Sequence, residues 1–187
     1  IQSGLNAGEA VAFTIGGVSA SQLGLSGGSS GTAYSGRVSA GTANTGDITI
    51  NGVDLGNFTS GDTANAGAIA DIINDKSSLT GVTADAYNRV EGNVVGLGEL
   101  SIDTISINDV SMGDSFSSLN ALADAINEKA SDVVAEVTSD GRIVLSNTTG
   151  QDIKISGDGT VDAGFEAAAT YEGFLKFTNN NGSSDRI

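Results

Sequence analysis

The sequence contains no cysteine, no histidine, no proline and no tryptophan. Without cysteine there can be no disulfide, no thiolate nucleophile and no zinc–thiolate site. Without histidine the chain lacks the usual general base of enzymes and the commonest transition-metal ligand. These absences remove most routes to catalysis. We therefore expect no catalytic, cofactor-binding or metal-binding residues, and we predict that the protein is not an enzyme.

Basic residues are also scarce, since 8 Lys and Arg face 23 Asp and Glu, for a formal net charge of −15. Such a chain cannot neutralise the phosphates of nucleic acid, and it is repelled by an anionic membrane surface. No apolar run reaches the roughly 18 residues that a membrane-spanning helix needs. We expect neither a nucleic-acid nor a membrane partner, and an acidic exterior that keeps the protein soluble.

The hydrophobic fraction of 39% includes only 5% aromatics, and glycine is abundant at 27 residues. Apolar content made of small aliphatic residues favours thin sheets backed by small helices in a folded, turn-rich protein. The first residues, Ile1-Gln2-Ser3-Gly4, contain neither an initiator Met nor a signal peptide. We expect the chain to be a fragment of a longer polypeptide.

An internal repeat is the most informative feature of the sequence. The two copies are related by an offset of 57 residues at their first block (105 − 48), 53 at the second (123 − 70) and 51 at the third (133 − 82). Such small differences are changes of loop length. The blocks of the first copy are residues 48–56, 70–74 and 82–84, and those of the second are 105–113, 123–127 and 133–135.

Each copy predicts a β-hairpin, a helix and a returning strand. Alternating apolar residues flank a tight turn at Asn51-Gly52 in the first copy, and the second copy has the same pattern. The middle block has the apolar spacing of an amphipathic helix of about three turns. Asp114 or Ser115 is the predicted N-cap of the second helix, with Lys129 in its last turn.

The remaining pattern adds strands and turns. Residues 139–142, with Asp140-Gly141 at the centre, predict a hairpin turn into the strand that follows, and Ile153 and Ile155 predict a further strand. Residues 26–46 predict a loop or an irregular extended segment. A first strand at residues 9–15 is expected to pair with a last strand at 171–177 and bring the ends together. The fold class is α+β: two similar small units of antiparallel strands, each with a packed helix on its own small sheet, in the order β-turn-β, α, β, β. Whether the units form one domain or two is left open.

The repeated blocks resemble the flagellin hook IN motif of bacterial flagellins and hook-associated proteins. The resemblance rests on Ile-Thr-Ile-Asn-Gly-Val from residue 48, Ala-Asp-Ile-Ile-Asn from residue 70 and Gly-Val-Thr-Ala from residue 81. In the second copy Asp109 and Asp132 replace the glycines of the pattern. Residues 2–15 and 19–25 are similar to the β-hairpin region of the flagellin core domain, with departures at Ser3 and Leu5.

The resemblance implies a domain organisation. Residues 1–25 are a strand or hairpin segment continuing from the core domain, and residues 36–92 and 100–158 are the two IN-motif units. Residues 164–187 are a return strand toward the core domain. The chain would be the central, variable, surface-exposed region of the flagellin, without the terminal helices that polymerise the filament.

The function implied by the resemblance is structural: outer domains of the flagellar filament subunit, which contribute to the surface and antigenicity of the motility apparatus. The implied location is extracellular, after export through the flagellar channel, and the partners are neighbouring flagellin subunits. The alternative is a hook-associated or filament-cap protein, or a surface adhesin module that binds glycans. The hairpin at residues 2–15 favours flagellin.

Several residues could carry modification or ion binding. Asn-x-Ser/Thr sequons occur at Asn57, Asn147 and Asn181, a number that chance explains in so polar a chain. The resemblance implies glycan modification through hydroxyls, for which residues 26–45 and 115–118 are candidate loops. Asp152, Asp158 and Asp162 fit no EF-hand spacing and match the calcium-binding β-roll repeat only weakly, so they are interpreted as solvated turn residues. Asp71 and Asp124 hold equivalent helix positions and are interpreted as exposed carboxylates.

Overall fold

The computed structural model of the protein describes residues 31–180. The strand predicted at residues 9–15 lies outside the described residues. The helices are α1 (Ala66–Asp75), α2 (Ser77–Thr80) and α3 (Leu119–Lys129), with a 3₁₀ turn at Asp158–Thr160. The strands are β1 (Thr32–Arg37), β2 (Thr49–Ile50), β3 (Val53–Asp54), β4 (Val82–Glu91), β5 (Ile105–Ile107), β6 (Val110–Gly113), β7 (Val134–Val137), β8 (Ile143–Asn147), β9 (Ile153–Ser156), β10 (Ala169–Tyr171) and β11 (Phe174–Asn179).

The strands form a five-stranded sheet in the order β1-β11-β4-β8-β7, a four-stranded sheet in the order β10-β9-β5-β6, and the separate hairpin β2-β3. Every strand pairing in them is antiparallel. Helix α1 packs on β4, and α3 packs on β7. The predicted α+β class, with two similar units that each carry a helix, is confirmed.

Both predicted hairpin turns are present and share one geometry. The first turn has φ of +50° at Asn51 and +78° at Gly52, and the second has +49° at Asn108 and +64° at Asp109. Positive φ at both central residues is the signature of a type I′ turn, whose twist matches that of the flanking strands. The Asn51 side chain also donates to the Thr80 carbonyl at 2.7 Å, which ties the first hairpin to the last residue of α2.

The helix of the second repeat, α3, begins later than predicted. Its N-cap is Ser118, whose hydroxyl accepts from the N–H of Ala121 at 3.2 Å, so the prediction of Asp114 or Ser115 is wrong. The reason lies in the tertiary structure: the Phe116 N–H donates to the Ile102 carbonyl at 2.8 Å, which holds this stretch extended. Lys129 does lie in the last turn, and its Nζ donates to the Met112 carbonyl.

One asparagine in each unit clamps the helix to the strand that follows it. Asn74 donates to the Ala84 carbonyl at 2.9 Å and accepts from the Ala84 N–H at 2.8 Å. Asn127 makes the same two bonds to Ala135, at 2.9 and 2.8 Å. A side-chain amide satisfies both backbone groups of one residue because it offers a donor and an acceptor side by side. This clamp explains why asparagine ends the second block of both repeats.

Removing the clamp in the second unit has a defined expected cost. We expect Asn127→Ala to lower the free energy of unfolding by about 1–2 kcal/mol, because two hydrogen bonds are lost and one strand residue is left without its partners. Asn120→Ala, on the exposed side of the same helix, is the matched control and should change stability by less than about 0.5 kcal/mol. Urea unfolding of both variants measures the difference, and equal losses would contradict the clamp.

The two units share one sheet, which differs from the prediction of a separate sheet for each. Strand β4 pairs with β11 along Val82–Tyr87 and with β8 along Asn88–Glu91, on its two opposite edges. A ten-residue strand can therefore belong to both units at once. Each unit keeps its own hydrophobic cluster: a large one in the second unit, which contains Leu122 and Ile126, and a smaller one in the first, which contains Ala70 and Ile73.

The register of pairing shows which strand completes the first unit. The clamped residue Ala84 lies opposite Phe177 of β11, and the clamped residue Ala135 lies opposite Leu145 of β8. Strand β11 therefore takes the place in the first unit that β8 takes in the second, at an offset of 32 residues (177 − 145). The predicted order β-turn-β, α, β, β is wrong for the first unit as a continuous segment, because its last strand comes only after the whole second unit.

Two expectations about the ends of the chain also need correction. Residues 26–46 are predicted to be a loop or an irregular extended segment, but a regular strand, β1, lies within them and pairs with β11. The last predicted strand, 171–177, is two strands: β10 pairs with β9, and β11 has β1 on one edge and β4 on the other. The edges of β11 that the predicted partner at 9–15 would need are thus already occupied.

Candidate functional site

An apolar groove opens on the first unit. It encloses a cavity of about 520 Å³ between the β2-β3 hairpin, helix α1 and strand β11. Ile50, Leu55, Ile69, Ile72, Leu175 and Phe177 supply most of its apolar lining, and polar residues of the segment after β1, including Ser39 and Thr42, form its rim. Its volume is in the range of small-ligand sites, and the described residues that line it are mainly apolar.

The equivalent face of the second unit is closed. Ile105 and Ile107 are both fully buried, whereas Ile48, the counterpart of Ile105, is 42% exposed. Strand β9 makes the difference, because it pairs with β5 and places Ile155 opposite Ile107. In the described part of the chain β2 pairs with β3 alone. Among residues 31–180, the groove is thus the uncovered counterpart of a face that the second unit covers with its own strand.

A polar cluster lies where the two units meet, around Arg37 of β1. Its guanidinium donates to the side chain of Asn88 at 3.1 Å and to the carbonyl of Glu172. The same group lies over the ring of Phe174, 4.6 Å from the centroid, and 5.3 Å from that of Tyr171. A guanidinium can stack on aromatic rings and donate in its own plane at once. Sequence reasoning gave Arg37 no role, since a single arginine in a Gly- and Ser-rich segment carries no signal.

Asn88 carries the network from Arg37 into the second unit. It is 1% exposed, and its amide donates to the carbonyls of Gln151 at 3.0 Å and Tyr171 at 2.7 Å. Asn147 also donates to the Gln151 carbonyl, at 2.9 Å. Buried polar groups of this kind stabilise a structure when all of their hydrogen bonds are made. The cluster fixes how the two units sit together, and its hydrogen-bonding groups are used within the chain.

Asp152 is the exception in this region. Its Oδ1 is buried and, within residues 31–180, has no hydrogen-bond partner. Burial raises the pKa of the Asp152 carboxyl above its ordinary value of 3.8, the nearby Glu172 carboxylate raises it further, and the backbone N–H of Gly173 lowers it. A raised pKa means that the carboxyl is protonated more readily in the folded chain than in the unfolded chain. Its contribution to stability is therefore greatest below the unfolded-state pKa and is lost as pH rises through the folded-state pKa.

The raised pKa of Asp152 leads to a prediction about how stability changes with pH. We expect Asp152→Asn to raise the thermal unfolding midpoint at pH 7, because a neutral side chain avoids the charge that burial and Glu172 disfavour. The gain should disappear at pH 3, where the wild-type carboxyl is itself protonated. Asp162→Asn, at an exposed position, is the control for a general change of net charge. A gain of equal size at both pH values would contradict the assignment to Asp152.

The other carboxylates singled out in the sequence are exposed. Asp71 and Asp124 are exposed on α1 and α3, which belong to different units. Asp158 and Asp162 are exposed in and after the 3₁₀ turn. Across residues 31–180, no group of three or more carboxylates is placed to hold a metal ion.

The sequons differ in their access to solvent. Asn57 is exposed, although its Oδ1 accepts from the Thr45 hydroxyl at 2.8 Å. Asn147 is only 7% exposed, and its Oδ1 accepts from the Gly150 N–H at 2.9 Å, so the folded chain withholds it from modification. Asn181 lies outside the described residues.

The hydroxyl-rich segments present accessible groups. Ser39, Thr42 and Thr45 are exposed beyond β1, and Ser115 and Ser117 are exposed before α3. Ser118 is the exception, because it is used as the helix cap. Of the predicted loop at 26–45, residues 26–30 lie outside the described part.

The chain was compared with protein-family models and with curated proteins. No family model matches the chain, and no curated protein matches it. Within residues 31–180, the helices are too short and too polar for any to cross a bilayer.

Proposed function

We propose that this chain is the outer, solvent-exposed part of a flagellar filament subunit. The observation that carries the proposal is that the residues behind the family resemblance hold the same structural positions in both units. Asn51 and Asn108 begin the type I′ turns, and Asn74 and Asn127 clamp each helix to the next strand. Motif residues that have the same structural role in both units support the family resemblance better than sequence similarity alone.

The proposed role is structural and extracellular. A net charge of −15 on 187 residues suits a domain that projects into solvent from a crowded polymer, because like charge keeps neighbouring outer domains from associating. In this proposal the partners are neighbouring subunits, which contact one another chiefly through the helical core outside this chain. The exposed hydroxyls around Ser39 and Ser115 are the proposed points of glycan attachment, and no catalytic step is assigned.

The test is recovery of this region from the bacterium that makes it. Filaments are sheared from cells and purified, and the intact mass of the subunit that contains this chain is measured. We expect the chain to be a major component of the sheared filaments, either at its unmodified mass or shifted by glycans. Recovery on cell envelopes, without abundance in the filaments, would contradict the proposal and favour the cap or adhesin alternative.

A further inference from the structure

The two faces of the five-stranded sheet differ in character. On one face, Ala84 and Leu175 pack into the hydrophobic cluster of the first unit with α1. On the same face, Ala135 and Leu145 pack into the cluster of the second unit with α3. Neighbouring residues of a strand point to opposite faces, so the residues next to these form a second surface, which we call the outer face. The pairing register defines it by four rows of adjacent residues: Tyr34–Lys176–Asp85, Phe174–Tyr87, Arg89–Ser146–Val134 and Glu91–Val144–Glu136.

The outer face exposes residue types that are common in protein interfaces. Tyr34 is 55% exposed and Val134 is 52% exposed, although both are large and apolar or aromatic. The side chain of Arg89 is 51% exposed. Between them, the rings of Tyr87 and Phe174 stack with their centroids 5.4 Å apart. Tyrosine, phenylalanine and arginine are enriched in interfaces because they offer broad apolar contact together with hydrogen-bonding groups.

The outer face is also neutral, on a strongly acidic chain. Arg142 belongs to it because Arg142 precedes Ile143, which points into the core, and because its Nε lies 3.7 Å from the Glu91 carboxylate. Residues 31–180 contain 21 acidic and 7 basic residues, so the rest of this part carries 18 acids (21 − 3) against 4 bases (7 − 3). The net negative charge therefore lies away from the outer face. Its six charged residues are Lys176, Arg89, Arg142, Asp85, Glu91 and Glu136.

We propose that the outer face binds a second copy of this chain through a two-fold axis. Like charge opposes contact between the acidic surfaces of two copies, so approach through the neutral face costs the least. In a two-fold contact the same patch faces itself, and the cations of one copy can pair with the carboxylates of the other. The exposed Tyr34 and Val134 supply apolar contact. The proposal concerns the chain itself and does not depend on the assignment to the flagellar filament.

The size of the outer face predicts a weak contact. Strands about 4.8 Å apart, with two rows on each half of the sheet, give a footprint of roughly 400 Å² per copy. Stable interfaces bury about 800 Å² per partner. We therefore expect a dissociation constant on the order of 0.1–1 mM, in the class of transient contacts that matter where copies are held close together.

Sedimentation equilibrium of the 187-residue chain measures this association directly. The experiment is run at about 0.15 M salt, where a screening length of about 8 Å weakens the repulsion between the net charges. We expect a monomer–dimer equilibrium within the predicted range. A chain that stays monomeric at concentrations of about 1 mM and above would overturn the proposal.

Charge reversal on the outer face tests the role of its neutrality. Lys176→Glu should weaken dimerisation at least about tenfold, because each copy then presents a net negative patch to the other. Lys154→Glu is the matched control. Both lysines lie in strands, are partly exposed and are bridged to an aspartate, Asp85 for Lys176 and Asp109 for Lys154, but Lys154 belongs to the other large sheet. Equal weakening by the two variants would show an effect of net charge alone and would overturn the proposal.

A charge swap separates loss of the contact from loss of the fold. Lys176→Glu combined with Asp85→Lys restores the neutrality of the face, since the two residues are neighbours in one row. We expect this double variant to recover most of the dimerisation that Lys176→Glu loses, with circular dichroism unchanged in both. A folded double variant that dimerises no better than Lys176→Glu would overturn the proposal.

A dilution series of the unaltered chain, followed by amide chemical shifts, locates the contact without any substitution. We expect concentration-dependent shifts in β1, β4, β8 and β11 around the outer face, and none in α1 or α3 on the opposite face. Shifts confined to α1 and the β2-β3 hairpin would place the contact at the apolar groove and would overturn the proposal.

Discussion

A Gly150→Ala chain is expected to lose about 2–4 kcal/mol of folding free energy, from an unfavourable backbone conformation and from steric overlap. Gly150 has φ of +69°, and a Cβ there would lie 2.4 Å from the Cβ of Ala86 and 2.9 Å from the backbone nitrogen of Gly67. Neither atom is at the end of a flexible side chain. The loop after β8 would have to move away from α1 and β4, so the variant tests how closely the second unit packs on the first.

Gly52→Ala is the matched control for this prediction. Gly52 also has a positive φ, +78°, but a Cβ there would meet no atom within 4 Å. This variant therefore carries only the backbone cost, about 1 kcal/mol. Urea unfolding followed by circular dichroism gives both values. If Gly150→Ala cost no more than Gly52→Ala, the close approach of the two units at this loop would be wrong.

Leu122→Ala is expected to cost about 2–5 kcal/mol, the range for a leucine truncated in a packed core. Leu122 is fully buried on the inner face of α3, in the same cluster as Ile105, Ile107 and Ile126. The loss combines the burial of the removed methyl groups with the cavity that they leave. It should be large because β5, β9 and α3 all contribute to this cluster and cannot easily collapse into the space.

The same chemical change at an exposed leucine is its control. Leu79 is 69% exposed in α2, so Leu79→Ala should alter stability by less than about 0.5 kcal/mol. Thermal and urea unfolding of both variants make the comparison. A cost at Leu122 close to that at Leu79 would mean that α3 does not form the centre of the second core.

Features set by local sequence were predicted well. The type I′ turns at Asn51 and Asn108 follow from residues that tolerate positive φ between alternating strands. The helices follow from apolar spacing, with Ile73 and Ile126 buried at equivalent positions. The hairpin at Asp140-Gly141 is present, with Val137 opposite Ile143. In each case the determining residues lie within one turn or one strand of each other.

Features set by distant pairing were not predicted. Strand β1 has the composition of a loop, and it is a strand because β11 lies beside it, with Tyr34 opposite Lys176. The start of α3 was misplaced because a bridge to Ile102 holds Phe116 extended. The shared strand β4 was missed for the same reason: neither its length nor its two partners are local properties.

The candidate site could be predicted only in part. The exposed hydroxyls beyond β1 and the separation of Asp71 from Asp124 agree with the sequence-based interpretation. The groove could not be foreseen, because Ile48 and Ile50 have the same alternating pattern as Ile105 and Ile107. Only the structure distinguishes the open pair from the covered pair. The sequon at Asn147 likewise looks accessible until its side chain is found bonded to its own turn.

The proposed location of this chain on the outside of the flagellar filament is tested most directly by labelling of intact flagella. Antibodies raised against the 187-residue chain are bound to native flagella and detected with gold particles in the electron microscope. If the chain is the outer part of the filament subunit, gold will decorate the filament along its whole length. Labelling confined to the tip, or to the cell envelope beside bare filaments, would contradict the account.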